Sequence, residues 1–328
     1  MNSRRMLGWL LVAAACALLG PAGAGAETFP ARYIKIVVPT GAGGAADIVS
    51  RLVADKVQTS IGKPVVVENR PGANGNTGAE AVIAAPADGY TIMMGHIGLM
   101  SVNRHIYNKM TFNPLDEFTP IVAATTYPIV LVVNPKLPIH NLKDLIAYAK
   151  ANPGKLNYSS SGFGSSFHMA TAMLGRQGGI ELTHIPFAAT AQALAAVMAG
   201  QVDMTFTDII VGVPQINAGN VRAIAVSGSQ RIPSLPNVPT ASESGLPNFD
   251  IVGWNGFVAK TGTPQDRILF LNEHINMALK SPEVQARIAQ LGADVAGGSP
   301  EKFGKFIASE DKKWGDLVAS GQVKLAVQ

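Results

Sequence analysis

The chain has 328 residues, of which 47% are hydrophobic and 6% aromatic, with a formal net charge of +4 and one cysteine. This length favours two domains, and the 34 glycines and 21 prolines suit a parallel-sheet α/β protein with many tight turns. The positive charge is too small and too dispersed to indicate a nucleic-acid partner.

The N-terminus has the pattern of a secretory signal. Arg4 and Arg5 precede a short apolar run and then several small residues, so we predict that residues 1–26 are a signal peptide cleaved after Ala26. The alternatives are a membrane anchor, for which the run falls short of roughly 20 residues, and a lipid anchor on Cys16, which lies in a poor lipobox. Cleavage would remove the only cysteine and leave a net charge of +2.

Strand and helix patterns alternate through the first half of the mature chain. The predicted strands there are 33–38, 64–67, 90–94 and 118–133. A glycine loop at 39–44 follows the first strand, and apolar residues at helical spacing start a helix near Ala45. Thr77 and Glu80 form a capping-box pattern that opens the next helix. The long apolar stretch 118–133 is typical of a strand that leaves one lobe and enters another.

The second half repeats this arrangement. The predicted strands there are 156–159, 182–185, 202–206, 221–226 and 250–258. Asn141 is predicted to cap a helix, and a second small-residue loop leads into a helix from about Ser166 to Arg176. The tail is helical, with Ser281 and Ser299 as N-caps followed by proline and an acid.

This order predicts two α/β lobes joined by two crossing strands. We assign residues 27–124 and 251–328 to lobe 1, and residues 125–250 to lobe 2. Both small-residue loops then lie at the carboxyl ends of strands, one in each lobe, where open α/β sheets bind their ligands.

Each of the two loops joins a strand to a helix N-terminus, which presents free N–H groups and a partial positive charge. We therefore predict that a small carboxylate bridges the lobes, held by backbone amides of Gly43, Gly44 and Ala45 and by hydroxyls of the second loop. The predicted ligand-binding residues are Thr40, Ala42, Gly43, Gly44, Ala45, Asp47, Gly95, His96, Ser161, Gly162, Phe163, Gly164, Ser165, Ser166, His168, Phe187, Asp208 and Trp254.

Several of these residues also have a purely structural interpretation. Asp47 could contact the ligand or a water molecule, or it could stabilise the helix start and pair with Arg51 four residues later. The same two alternatives hold for His96 and His168. Trp254 lies on the returning strand and could sit behind the ligand.

Six short motifs, in this order along one chain, carry a family resemblance. They are IVVP at 36–39, VENRPG at 67–72, ADGY at 87–90, NPGK at 152–155, GQVD at 200–203 and PNVPT at 236–240. Over essentially its whole mature length the chain resembles the tripartite tricarboxylate transporter substrate-binding family, the Bug or TctC-like receptors. The resemblance implies a type II periplasmic-binding-protein fold, carboxylate recognition by the two loops, a periplasmic location and a membrane transporter as partner.

The chain departs from the family pattern at the predicted site. Members often have a tyrosine and a basic residue where this chain has Phe187 and Ala188, and an asparagine where it has Phe163. A common acid is replaced by Thr207, with Asp208 next. The lost cation and the added phenyl rings suggest an aromatic or aliphatic mono- or dicarboxylate as ligand.

An exported enzyme is the main alternative. Gly41, Gly43 and Ala46 form a short dinucleotide fingerprint between a strand and a helix, and Glu68 ends the next strand, where a ribose-binding acid would lie. The fingerprint is weak by itself, and the family resemblance explains the loop in another way.

Other catalytic patterns are weaker still. A dyad of Ser165 or Ser166 with His168 lacks an evident third orienting group, and the six histidines include no tight pair with metal-ligand spacing. A receptor that reports its ligand to a sensor kinase stays open, because sensing and transport both need a liganded state that a partner recognises. We therefore expect a monomer with no catalytic residue, no metal and no cofactor.

Overall fold

The computed structural model describes residues 28–107 and 109–319, so the predicted signal peptide and Cys16 lie outside the described residues. The strands are β1 (Ile34–Val38), β2 (Val65–Asn69), β3 (Thr91–His96), β4 (Phe118–Val133), β5 (Asn157–Ser160), β6 (Thr183–Pro186), β7 (Met204–Asp208), β8 (Arg222–Val226), β9 (Val252–Lys260) and β10 (Asp294–Val295). The longer helices are α1 (Ala45–Ile61), α2 (Asn76–Ile83), α5 (Leu142–Ala151), α6 (Ser166–Gly178), α7 (Thr190–Met198), α8 (Ile209–Asn217), α9 (Gln265–Lys280), α10 (Pro282–Gln290) and α11 (Pro300–Ala319). The short helices are α3 (Asn103–Ile106) and α4 (Pro114–Glu117), with a 3₁₀ turn at Ala73–Gly75 and a π-helix at Gly98–Val102.

The first sheet contains β2, β1, β3, β9 and β4 in that order. Strand β1 runs parallel to β2 and β3, whereas β9 lies antiparallel between β3 and β4, and β10 pairs with β4. The apolar residues of β1 and β3 are almost all buried, as expected for inner strands covered by helices on both faces. The carboxyl ends of β1 and β3 therefore meet at one edge of the first lobe.

The second sheet is built on the other half of β4. Strands β7 and β8 pair antiparallel with Ile129 to Val133, and β5 runs parallel to β7 and β6. Strand β4 is thus shared by both sheets, since its residues up to Pro128 pair with β9 in the first sheet. This confirms that the predicted stretch 118–133 crosses between two α/β units, while the exact domain limits stay a prediction.

Several helix starts lie where the local sequence patterns predict them. The predicted caps of Asn141, Ser281 and Ser299 are confirmed: their side-chain oxygens accept the backbone N–H three residues later, at 2.9, 3.4 and 3.2 Å respectively. The predicted helices beginning near Ala45 and at Ser166 are also confirmed. No helix in the described part of the chain is long and apolar enough to cross a membrane.

The prediction of a capping box at Thr77 is wrong. Helix α2 begins one residue earlier, after Gly75, and no side chain caps it. Gly72 and Gly75 both have positive φ, so the backbone of this glycine turn fixes the helix start. The Glu80 carboxylate instead accepts a hydrogen bond from the Thr111 hydroxyl at 2.9 Å.

Candidate ligand-binding cleft

Two adjacent chambers lie where the carboxyl ends of the strands in both lobes face each other. The inner chamber has a volume of about 40 Å³ and the outer chamber about 300 Å³, and Thr40 and Ser161 line both. The inner chamber is lined by Thr40, Gly41, Gly44, Ala45, Ala46, His96, Ile97, Tyr127, Ser161, Ser165, Ser166, Phe167, Thr190, Asp208 and Asn255. The outer chamber is lined by Pro39, Thr40, Gly72, Ala73, Asn74, Gly75, Tyr107, Ser161, Gly162, Phe163, Pro186, Phe187 and Ala188.

The lobes contact each other across this cleft. The Gly41 N–H donates to the Ala188 carbonyl at 3.3 Å, and the Tyr107 hydroxyl donates to the Phe163 carbonyl at 3.2 Å. A Cβ placed on Gly41 would lie 2.4 Å from the Ala189 Cβ, closer than real side chains approach. The conformation is therefore closed, with space in the inner chamber for about one or two water-sized groups.

The glycine loop of lobe 1 is stabilised from within. Gly43 donates its N–H to one oxygen of Asp47 at 2.9 Å, and Arg51 donates to the other at 3.0 Å. Burial acts to raise the pKa of Asp47, but the hydrogen bonds from Arg51 and Gly43 outweigh it and hold the pKa below its ordinary value. Both carboxylate oxygens thus fix the start of α1, and neither Asp47 nor Gly43 lines a chamber.

Asp208 brings a negative group into the inner chamber. It caps α8 by accepting the Val211 N–H at 2.8 Å, and its carboxylate also interacts with the backbone amide of Ala45 in the other lobe. Burial raises the pKa of Asp208 to about 6, although these amides partly offset the effect. None of the residues lining either chamber is a lysine or an arginine.

Two buried donors of the inner chamber have no partner. The His96 Nδ1 atom accepts the Leu99 N–H at 3.5 Å, which leaves Nε2 as the N–H of the neutral ring; burial lowers the pKa of His96 to about 4. Asn255 pairs with His96 across β3 and β9. Among the described residues, neither His96 Nε2 nor Asn255 Nδ2 meets the geometry of a hydrogen bond. The Asn255 side chain nevertheless lies beside the Tyr127 phenol, where burial raises the pKa of Tyr127 and Asn255 partly offsets this effect. Buried donors are normally satisfied, so this pair indicates a missing acceptor.

The second loop presents the start of α6 to the same chamber. The Ser165 hydroxyl caps this helix by accepting the His168 N–H at 3.3 Å, and Ser166 and Phe167 line the chamber with the first turn. The His168 ring faces the other way: its Nδ1 atom accepts the Gly164 N–H at 3.2 Å. Burial lowers the pKa of His168 to about 4, so the ring is a neutral support beneath the loop.

The serine–histidine arrangement differs from the predicted dyad. Neither Ser165 nor Ser166 pairs with the His168 ring; instead, the Ser160 hydroxyl lies 2.6 Å from His184 Nε2. The other ring nitrogen of His184 has no hydrogen-bond partner among the described residues. The orienting third group of a hydrolase triad is therefore missing from this pair.

Most of the predicted site residues come together in the two chambers, and seven do not. The predicted residues that line a chamber are Thr40, Gly44, Ala45, His96, Ser161, Gly162, Phe163, Ser165, Ser166, Phe187 and Asp208. Those that do not are Ala42, Gly43, Asp47, Gly95, Gly164, His168 and Trp254. Trp254 and the neighbouring Asn255 point to opposite faces of β9, and the indole packs edge-on against Phe303 and Phe306 in the core.

Sequence reasoning missed several chamber residues. Tyr127 and Asn255 lie on β4 and β9, the strands that run behind the cleft, and Asn255 is the residue next to the tryptophan that was chosen. Strand alternation offers both faces, and a lone sequence does not show which one meets the cleft. Thr190 was missed because α7, whose first residue it is, was not predicted as a helix.

The dinucleotide alternative meets a steric obstacle in this conformation. The loop from Gly41 to Ala46 packs against lobe 2 through the Gly41–Ala188 hydrogen bond. About 40 Å³ remains beside the start of α1, roughly the space of a water molecule. Two linked phosphate groups do not fit there.

Comparison with known proteins identifies the family. Residues 49–322 match the Tripartite tricarboxylate transporter family receptor family. The chain belongs to this family. BugT of Bordetella pertussis is 34% identical over 326 residues, which cover 99% of this chain and 100% of BugT. The family resemblance seen in the sequence motifs is therefore confirmed.

Solved structures of TctC-family relatives show the same fold. The periplasmic binding protein BugD has a TM-score of 0.87 at 33% identity, with 90% of this chain and 99% of BugD covered. Rpa4515 of R. palustris, solved with adipate, has a TM-score of 0.86 at 33% identity, with 90% of this chain and 98% of Rpa4515 covered. The predicted two-lobed periplasmic-binding-protein fold is confirmed. In the described part of the chain, no group of three or more His, Cys, Asp or Glu side chains could hold a metal ion.

Proposed function

We propose that this TctC-family protein is a periplasmic receptor that captures a small carboxylate between its lobes and delivers it to a tripartite tricarboxylate-type membrane transporter. The observation that carries the proposal is the inner chamber. The starts of α1 and α6 converge there on two buried donors without partners, His96 Nε2 and Asn255 Nδ2. Helix N-termini and neutral N–H donors together suit a carboxylate. The adipate bound to Rpa4515 supports this class of ligand.

The bound carboxylate would bridge the two lobes. The start of α1 and the His96 imidazole belong to the first sheet, whereas the start of α6 belongs to the second unit, so a carboxylate between them contacts both lobes at once. A ligand that contacts both lobes only when they are closed shifts the equilibrium toward the closed state. Binding needs no bond making or breaking, and we assign no catalytic residue.

The family and the N-terminal sequence support a proposal for the partner and the location. We propose that residues 1–26 direct export, that the mature chain acts as a periplasmic monomer without a cofactor, and that transporter subunits recognise its closed form. Deleting the gene should abolish uptake of the ligand. Normal uptake with lost induction of the uptake genes would instead indicate that the receptor reports to a sensor kinase.

Thermal-shift binding to the refolded mature protein tests the receptor function. The panel should contain adipate, malate, benzoate and NAD, because refolding removes any ligand that co-purifies. A ligand at 100 times its Kd adds about 2.7 kcal/mol to the free energy of unfolding, which is readily measured. A shift with at least one carboxylate supports the proposal, whereas a shift with NAD alone would favour an enzyme.

A matched pair of variants locates the binding site. Asn255→Leu removes a buried donor and keeps the side-chain size, so we expect the Kd of the best carboxylate to rise about 12- to 150-fold, as for loss of a hydrogen bond to a charged group. Asn220→Leu replaces an exposed asparagine away from the chambers and should leave the Kd unchanged. Equal effects of the two variants would place the ligand elsewhere.

A further inference from the structure

The outer chamber differs in chemistry from the inner one. Three aromatic side chains, Tyr107, Phe163 and Phe187, line it together with Pro39 and Pro186. None of its lining residues is charged or a histidine. A ligand that extends from the inner chamber into this space would meet the three rings together with small and uncharged polar residues.

The Phe163 ring is packed against two neighbouring rings of lobe 2. It packs edge-on against His168 and His184, with ring centroids 5.2 and 4.8 Å away. The backbone carbonyl of Phe163 accepts a hydrogen bond from the Tyr107 hydroxyl at 3.2 Å. Burial lowers the pKa of both imidazoles, to about 4 and about 3, so neither carries a charge at neutral pH. A fixed, neutral aromatic wall loses little conformational entropy on binding.

The dimensions suit one ring. A cavity of about 150 Å³ accepts benzene, so an outer chamber of about 300 Å³ has room for a six-membered ring with small substituents. Thr40 and Ser161 line both chambers, so the two spaces are adjacent. A carboxyl group attached directly to a ring would then place its oxygens in the inner chamber and its ring in the outer one.

The charges disfavour a second carboxylate. The unpartnered donors line the inner chamber, whereas no residue lining the outer chamber is charged or a histidine, and the only helix start that borders it is that of α2 after Gly75. Asp208 already contributes one negative group to the cleft. A second carboxylate there would have no lysine or arginine to pair with, and burying an unpaired charge is strongly unfavourable.

We propose that the ligand of this receptor is an aromatic monocarboxylate whose ring is bound by Phe163, Phe187 and Tyr107 in the outer chamber. This rests on the proposed carboxylate-receptor function and specifies its substrate class. Contacts between aromatic rings contribute about 2- to 12-fold in affinity beyond the burial of apolar area. The receptor should therefore distinguish a flat ring from a saturated ring of similar size.

Calorimetric titration of the refolded mature protein with benzoate, cyclohexanecarboxylate and adipate tests this proposal. We expect benzoate to bind most tightly, with cyclohexanecarboxylate weaker by about 2- to 12-fold and adipate weaker still. Equal affinity for the two rings, or tighter binding of adipate, would overturn the aromatic assignment and leave the receptor function intact. Absence of binding by all three would also overturn the aromatic assignment, and it would count against the receptor function only if malate failed to bind as well.

Two variants test whether the ring of Phe187 distinguishes an aromatic ligand from a saturated one. Phe187→Leu keeps an apolar side chain, so benzoate should lose about 2- to 12-fold in affinity while cyclohexanecarboxylate changes little. Phe112→Leu alters a half-buried phenylalanine that packs on Phe118 away from the chambers, and it should change neither. An equal loss for both ligands in Phe187→Leu would contradict ring recognition. The wild-type ranking of the three acids decides the question even if a variant fails to fold.

Discussion

A tight contact between the two lobes gives a direct test of closure. Gly41 lies in the loop of lobe 1, and its backbone does not adopt a positive φ, so alanine is compatible with the local conformation. The added Cβ would nevertheless lie 2.4 Å from the Ala189 Cβ across the cleft. Gly41→Ala should therefore leave each lobe folded and prevent the lobes from closing fully.

The size of the effect follows from the clash. Overpacking a well-fitted contact by one methyl group costs about 1–3 kcal/mol, and the open state avoids this cost entirely. Closure and binding are coupled, so the Kd for a carboxylate should rise about 5- to 150-fold. Calorimetric titration measures this Kd, and small-angle X-ray scattering should show a liganded variant that remains more extended than the liganded wild type.

A suppressor and a control make the test specific. The double variant Gly41→Ala with Ala189→Gly removes the opposing methyl group and should recover most of the affinity. Gly304→Ala adds a Cβ at an ordinary 3.5 Å from Pro120 and should bind as the wild type does. Unchanged affinity and scattering for Gly41→Ala would refute the idea that this contact belongs to the ligand-bound state.

Three further predictions concern buried polar groups. Burial raises the pKa of Asp208 to about 6, and a bound carboxylate favours the protonated form of this side chain. The affinity for a carboxylate ligand should therefore fall from pH 5 to pH 8, by at most about tenfold per pH unit. Titrations of Asp208→Asn should show a flatter pH profile. Asp311→Asn leaves the Arg104 guanidinium, 2.8 Å away, without its carboxylate, and urea unfolding should show a loss of about 1–3 kcal/mol with the Kd unchanged. Ser227→Ala removes the hydroxyl that accepts the Ile129 N–H on β4 at 2.9 Å, so the Tm should fall by an amount equivalent to about 1–3 kcal/mol.

The division of this chain into two lobes could be predicted from local sequence patterns. The stretch 118–133 is apolar at nearly every position, which only a strand buried on both faces tolerates, and β4 has these bounds. The glycine loop before Ala45 and the serine loop before Ser166 were recognisable because helix starts after strands have a distinct composition. These features sufficed to predict two lobes and the loops that face each other.

Side-chain direction was much harder to predict. Helix α8 begins with Ile209 and is mostly apolar, and the side chain of Asp208 caps its start. Whether Trp254 or Asn255 meets the cleft depends on the register of β9 against β3, a tertiary property. The sequence did not decide between the ligand-binding and structural roles of Asp47. Its partners, Gly43 and Arg51, are close in sequence, but residue spacing alone does not show which way the carboxylate points.

The most direct test of carboxylate capture is a crystal structure of the refolded mature protein with its tightest-binding carboxylate. We expect closed lobes and a carboxyl group in the inner chamber, within hydrogen-bond distance of His96 Nε2 and Asn255 Nδ2. A ligand bound outside the cleft, or a carboxyl group in the outer chamber with both donors still unpartnered, would contradict it.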